Sequence, residues 1–164
     1  MFSMARLQPD EVLPPDLLAL RRFALLMDEA VAIPGTNRRV GLDAALGLIP
    51  GVGDVIAGVL SAWIIIGALR HRVPLRKVLR MLFNVVLDIV IGAVPILGDL
   101  FDFLFEENMM NMRLLMDYRD RGRPPRSIAQ IAGAAVLIVG VILFVALGVL
   151  AGSIAVVIWL IGKR

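Results

Sequence analysis

The 36 positions from Ser127 to Gly162 contain no Asp, Glu, Lys or Arg, and a soluble core has no need to concentrate apolar residues in so long a run. As one straight helix the segment would be roughly 54 Å long at about 1.5 Å per residue, against a hydrocarbon core of about 30 Å. The run is expected to cross a membrane, either tilted, or continuing beyond the bilayer, or broken into a hairpin near Gly148 to Ser153. One long helix is the favoured reading, because a break there leaves a second arm of only about ten residues. Composition agrees: 59% of the 164 residues are hydrophobic and 19% charged, where soluble domains carry about 45–50% apolar and about 25% charged residues.

The same composition excludes several chemistries. There is no Cys, one His (His71), one Thr (Thr36) and four Ser (Ser3, Ser61, Ser127, Ser153), which removes disulfides and thiolate metal sites and leaves little for nucleophilic catalysis. No cofactor, metal site or catalytic residue is expected. The first fifteen residues hold Pro9, Asp10, Glu11, Pro14 and Pro15 in place of a basic region followed by an apolar one, so insertion is expected to use internal segments. Of the 17 basic residues, only Lys77 and Lys163 are lysines. That arginine bias suits bidentate contact with phosphate or carboxylate groups, and in a membrane protein the nearest phosphates are lipid headgroups.

Along the chain the pattern divides into four parts: 1–21, a polar tail and the start of an amphipathic helix; 22–118, a membrane domain; 119–126, a basic linker; and 127–164, the C-terminal transmembrane segment. Leu17 to Ala32 has apolar residues at helical intervals and ends at the turn Ile33-Pro34-Gly35-Thr36-Asn37. Two apolar stretches follow, Ala44 to Leu69 and Met81 to Gly98, in which Asp54 and Asp88 are the only charges. Between them a basic turn contains Arg70, Arg72, Arg76, Lys77 and Arg80 with a solvated His71, and Pro74 stands early in the next helix. From Asp99 to Tyr118 an amphipathic helix is expected, with Asp99, Asp102, Glu106, Arg113 and Asp117 on one stripe.

The most informative feature is an internal repeat. Residues 43–54 (DAALGLIPGVGD) and 88–99 (DIVIGAVPILGD) align at an offset of 45 with five identities in twelve positions, both reading D-x3-G-x2-P-x2-G-D. Pro50 and Pro95 interrupt a helix, Gly53 and Gly98 permit a turn, and Asp54 and Asp99 suit the cap of a following helix. Each copy is therefore expected to be helix, break, helix. The basic clusters at Arg38–Arg39, Arg70 to Arg80 and Arg113 to Arg126 would all lie on the cytoplasmic face by the positive-inside rule, making each repeat a hairpin that enters from the cytoplasm and returns.

The residues Ile33-Pro34-Gly35-Thr36-Asn37, Gly41-Leu42-Asp43, Gly47 to Asp54, Asn84, Asp88 and Val94 to Phe103 together resemble the family catalogued as domain of unknown function 4112, over about residues 22 to 118. The resemblance implies a small, mostly bacterial, membrane-associated protein. It carries over no activity, cofactor or catalytic residue.

The fold expected is all-α and integral to the bacterial cytoplasmic membrane in several passes. Asp43, Asp54, Asp88 and Asp99 beside apolar runs are candidate proton or cation carriers; against this stand capping for Asp54 and Asp99 and a structural bond for Asp43 and Asp88. Arg70, Arg72, Arg76, Lys77, Arg80, Arg119, Arg121, Arg123 and Arg126 are expected to face lipid headgroups. The Leu46 to Ala57 segment has the spacing of a DNA-binding helix-hairpin-helix, but the helix that follows carries no basic residue before Arg70, so no nucleic-acid partner is expected. The favoured function is a non-enzymatic scaffold or accessory subunit partnered by the bilayer and by a second copy or another membrane protein. A small transporter-like oligomer using the aspartates is the alternative, and an enzyme acting on lipid a minor one.

Overall fold

A computed structural model describes residues 13–36, 39–47, 52–94 and 105–163. Six helices dominate these residues: α1 (Pro15–Glu29), α2 (Leu42–Gly47), α3 (Val52–Arg70), α4 (Leu75–Gly92), α5 (Glu107–Tyr118) and α6 (Ile128–Gly162). After α1 the chain forms a two-stranded antiparallel ribbon, β1 (Val31–Ala32) against β2 (Arg39–Val40), with Val31 opposite Val40. The expected turn at Ile33 thus joins two strands, and Gly35 supplies its positive φ of 80°.

The five longer helices alternate in direction and stack in three layers. α3 and α4 form the middle, α1 and α5 cover one side, and α6 covers the other. α3 is apolar all round, as suits a helix surrounded by neighbours, and buries Ala62, Ile64, Ile65 and Ala68. α1 turns Leu17, Leu20, Ala24 and Met27 inward at helical spacing, and α6 does the same with Ile131, Ile138, Ile142 and Ala146. Gly58 on α3 lets α4 and α6 close in, since a Cβ there would press on Ile89 and Ile142. α6 is one unbroken helix, opened by a capping box in which Ser127 and Gln130 satisfy each other's backbone N–H. Among the described residues it is the one helix long and apolar enough to cross a membrane.

One end of the bundle is basic. α3 closes with Arg72 at φ 58°, where Arg72 N–H donates to Leu69 O and Val73 N–H to Ala68 O at 3.0 Å, a left-handed helix stop more often made by Gly. The α5–α6 linker docks on this turn, with Asp120 N–H donating to His71 O and Arg126 N–H to Arg70 O. His71 is therefore not solvated: it is 6% exposed and its Nε2 lies 2.9 Å from Asp16 at the start of α1. The sequence alone gives no hint that α1 reaches this turn.

Three further expectations are corrected. Arg39 donates to Glu29 O at the opposite end of α1 from Asp16, so it is separated from the other basic clusters by about 22 Å of helix and does not share their face. α2 has only six residues, about 9 Å, too short an arm for a hairpin that crosses the bilayer. The continuous helix expected from Asp99 to Tyr118 is interrupted at residues 105–106, and α5 begins at Glu107; Pro50, Pro95, Gly98, Asp99 and Asp102 lie outside the described residues, while Gly53 and Asp54, expected as turn and cap, are already inside α3. Of the ends next to the two prolines, the described one is that of α4, which stops at Gly92, three residues before Pro95.

Gly41 sits where β2 leads into α2, and a Cβ there would run into the Met27 carbonyl of α1. Gly41→Ala is expected to lower stability by about 1–3 kcal/mol, measured by denaturant unfolding in mild detergent, while Gly133→Ala, which meets open space, should cost nothing.

Candidate functional site

An apolar bundle tolerates buried polar groups only when each finds a partner, and this one buries a connected set. Asp28 on α1, Ser61 on α3, Asn84 on α4 and Glu107, Asn108 and Asn111 on α5 are all buried, Glu107 at 1% exposure and Asp28 at 9%. They meet because Asp28 follows Met27 on the inward face of α1, while Glu107, Asn108 and Asn111 occupy one face of the first turns of α5.

The bonds run without a break. Glu106 precedes α5 without a side-chain cap, and the free N–H of Met109 instead donates to Asp28 Oδ2 at 2.7 Å, so α1 caps α5. Asn108 Nδ2 donates to Asp28 Oδ1 at 2.9 Å. Ser61 Oγ lies 2.7 Å from Asn108 Oδ1 and 2.9 Å from Glu107 Oε2. Asn111 Nδ2 donates to Glu107 Oε1 and to Met81 O, and Asn84 Nδ2 donates to Asn111 Oδ1 at 2.8 Å. Among the described residues no basic side chain pairs with either carboxyl group.

Burial is the main reason both acids are shifted. It pushes Glu107 well above the usual carboxylate range, with Asp28 and Asp43 adding repulsion against the bonds from Ser61 and Asn111. It raises Asp28 to about 7, helped by Glu106 and Glu29 and opposed by Met109 N–H and Asn108. Asp28 also lines a small opening with Arg39, Gly41, Asp43, Phe105 and Glu106, about 20 Å³ in volume. That admits about one water molecule and no organic ligand.

The expected site residues fall elsewhere. Asp43 is half-buried in α2 and shares the opening with Asp28, while Asp88 is half-buried on α4. Gly53 and Asp54 belong to the first turn of α3; the Asp54 side chain is not among the described ones. The basic residues gather at the far end from this opening. Arg70 pairs with Asp16 at 3.8 Å, Arg72 donates to Pro124 O, Lys77 lies over the Tyr118 ring and Arg123 faces Asp120. Arg76, Arg80 and Arg121 are exposed and Arg126 half-exposed. Arg119 is buried at 7% and spends its guanidinium on Met116 of its own helix.

A family model for the domain of unknown function DUF4112 matches residues 17–118. The chain belongs to this family. In this DUF4112 protein the matched segment holds the whole polar network, and α6 lies outside it. No curated protein and no solved structure matches the chain.

Sequence reasoning missed the network, although a signal was present: Asp28 interrupts the apolar face of α1, and Asn84 is one of the polar landmarks of the family resemblance. Ser61→Ala is expected to lower stability by about 1–3 kcal/mol, because it leaves Glu107 Oε2 and Asn108 Oδ1 facing each other without a donor. Thermal unfolding of the detergent-solubilised protein checks this, with Ser153→Ala, whose hydroxyl bonds only its own helix, as the control.

Proposed function

We propose that this protein is a non-enzymatic scaffold or accessory subunit held in the bacterial cytoplasmic membrane. The observation that carries the reading is the outer part of α6. Ala146 is its last buried residue, and from Leu147 to Gly162 every residue is exposed except Val149, Leu150 and Ser153, which are partly covered. A long apolar surface left uncovered in this way marks contact with lipid or another membrane protein.

Length arithmetic extends the argument. Sixteen residues beyond Ala146 project by about 24 Å, short of a hydrocarbon core of about 30 Å. Lipid would therefore have to rise over the adjoining end of the bundle, where Val52, Ile56 and Val59 on α3, Val90 on α4 and Val94 just beyond it are exposed. Phe144 on α6, at 81% exposure, belongs to the same band. On this reading Gly47 of α2 and Gly92 of α4 lie at membrane depth. The basic end, with Arg76, Arg80, Arg121 and Arg123, then faces cytoplasmic headgroups. Trp159 with Lys163 over its ring suits the opposite interface.

The absence of Cys makes the arrangement simple to test with single cysteines and a membrane-impermeant maleimide. Arg123→Cys is expected to react only in inverted vesicles, Lys163→Cys in intact cells, and Phe144→Cys in neither until detergent is added. Labelling of Phe144→Cys in intact membranes would overturn the span. Mild extraction is expected to recover a complex of defined mass; a monodisperse monomer under several mild conditions would overturn the scaffold reading.

A further inference from the structure

We propose that Asp28 and Glu107 form a proton-binding site that holds one exchangeable proton between them, carried on either acid according to the direction of the hydrogen bonds through Ser61 and Asn108. The proposal does not rest on the scaffold reading.

The count of hydrogens makes the case. Ser61 has one hydroxyl hydrogen but two oxygens within reach, Asn108 Oδ1 at 2.7 Å and Glu107 Oε2 at 2.9 Å. With Asn108 Nδ2 donating to Asp28, Asn108 Oδ1 takes the serine hydrogen. Glu107 must then donate to Ser61 Oγ, which requires a proton on Oε2. Every bond now points one way, from Glu107 through Ser61 and Asn108 to an ionised Asp28. The reverse wire is equally complete. Asp28 carries the proton and donates to Asn108 Oδ1, the turned amide donates to Ser61 Oγ, and Ser61 donates to an ionised Glu107. Turning an amide end for end changes its bonds and not its shape, so the two states share one packing.

Other occupancies fail. With both acids ionised, one pair of acceptors always faces without a hydrogen; with both protonated, the second proton has no place in the wire and must sit on Asp28 Oδ2, against the N–H of Met109. The acceptor conflict falls on buried groups, where an unmade hydrogen bond is costly. The surroundings favour a proton over a second negative charge: Glu29 on α1, Asp43 on α2 and Glu106 before α5 are acidic, against Arg39 on β2. α3 and α4 present Ser61 and Asn84. Asp28 at the wall of the one-water opening gives the proton a way in and out, while Glu107 is its interior station.

Isosteric amides test the wire. Glu107→Gln fixes the first direction, with its amide donating to Ser61, and Asp28→Asn fixes the second. Each single variant is expected to fold, whereas the double variant carries one donor too many and should unfold at least about tenfold more readily than the two single effects combined. The sign of the pH dependence follows from a proton kept by the folded and lost by the unfolded chain: stability falls as pH rises from the ordinary carboxylate range towards about 7. The unfolding constant of the native sequence is expected to rise about tenfold per pH unit relative to Glu107→Gln across that window. Unfolding near its middle should release one proton more than the variant does. Equal proton release, additive effects in the double variant, failure of both single variants to fold, or a stability that follows sodium concentration in place of pH would each overturn the proposal.

Discussion

The capping of α5 by Asp28 is the interaction on which the rest of the bundle depends. α5 is twelve residues long and starts without a side-chain cap of its own, so the buried Met109 N–H in its first turn needs an acceptor from elsewhere. Asp28 supplies one from α1, and the same carboxyl group takes the Asn108 amide. The contact therefore closes the layer that α1 and α5 form over α3, and it fixes where Glu107 and Asn111 enter the core. An acid is well suited to this position because the helix N-terminus carries partial positive charge. Its burial nevertheless works against ionisation, and the polar chain beyond it is what makes the arrangement tolerable.

The two ends of the bundle are built on different principles. The basic end is tied by backbone and ionic contacts between segments far apart in sequence: Asp16 with Arg70 and His71, Asp120 with His71, Arg126 with Arg70. The other end is closed by the short ribbon and α2, with backbone packed so closely that Gly41 has no room for a Cβ. α6 passes along the middle layer from the first end towards the second and continues past it. A helix that anchors a bundle and then leaves it makes lipid depth and bundle position interdependent, since moving one by a turn displaces the other by about 5 Å.

Much of the helical architecture was legible because it rests on local signals. The charge-free run became α6, and the polar landmarks identified the family. What was not legible depends on helices meeting from distant parts of the chain. His71 looks like a turn residue until Asp16 is known to sit beside it, and Arg119 looks like one more surface arginine until it packs against Met116. The acidic helix was read by its charged stripe, Glu106, Arg113 and Asp117, and Glu106 does face Arg113 at 3.6 Å. The face that enters the polar network is the other one. Glu107, Asn108 and Asn111 gain meaning only through Ser61 and Asp28, which lie 46 and about 80 positions away in sequence.

The polar chain also answers a problem that apolar composition creates. α3 is hydrophobic on every side, and dispersion contacts among Leu, Ile, Val and Ala side chains distinguish poorly between one helix rotation and the next. Rotating α3 by one residue would carry the Ser61 hydroxyl about 100° away from Glu107 and Asn108, leaving both without it. A one-turn slip of α5 would move Asn111 off Asn84 and the Met81 carbonyl in the same way. Buried polar groups cost more than apolar ones when unpaired and little when fully paired, so the network penalises wrong registers more heavily than it stabilises the right one. That asymmetry gives an otherwise uniform core a single arrangement, and it explains why the acids, amides and hydroxyl occur on all four helices that meet there and are absent from the buried face of α6.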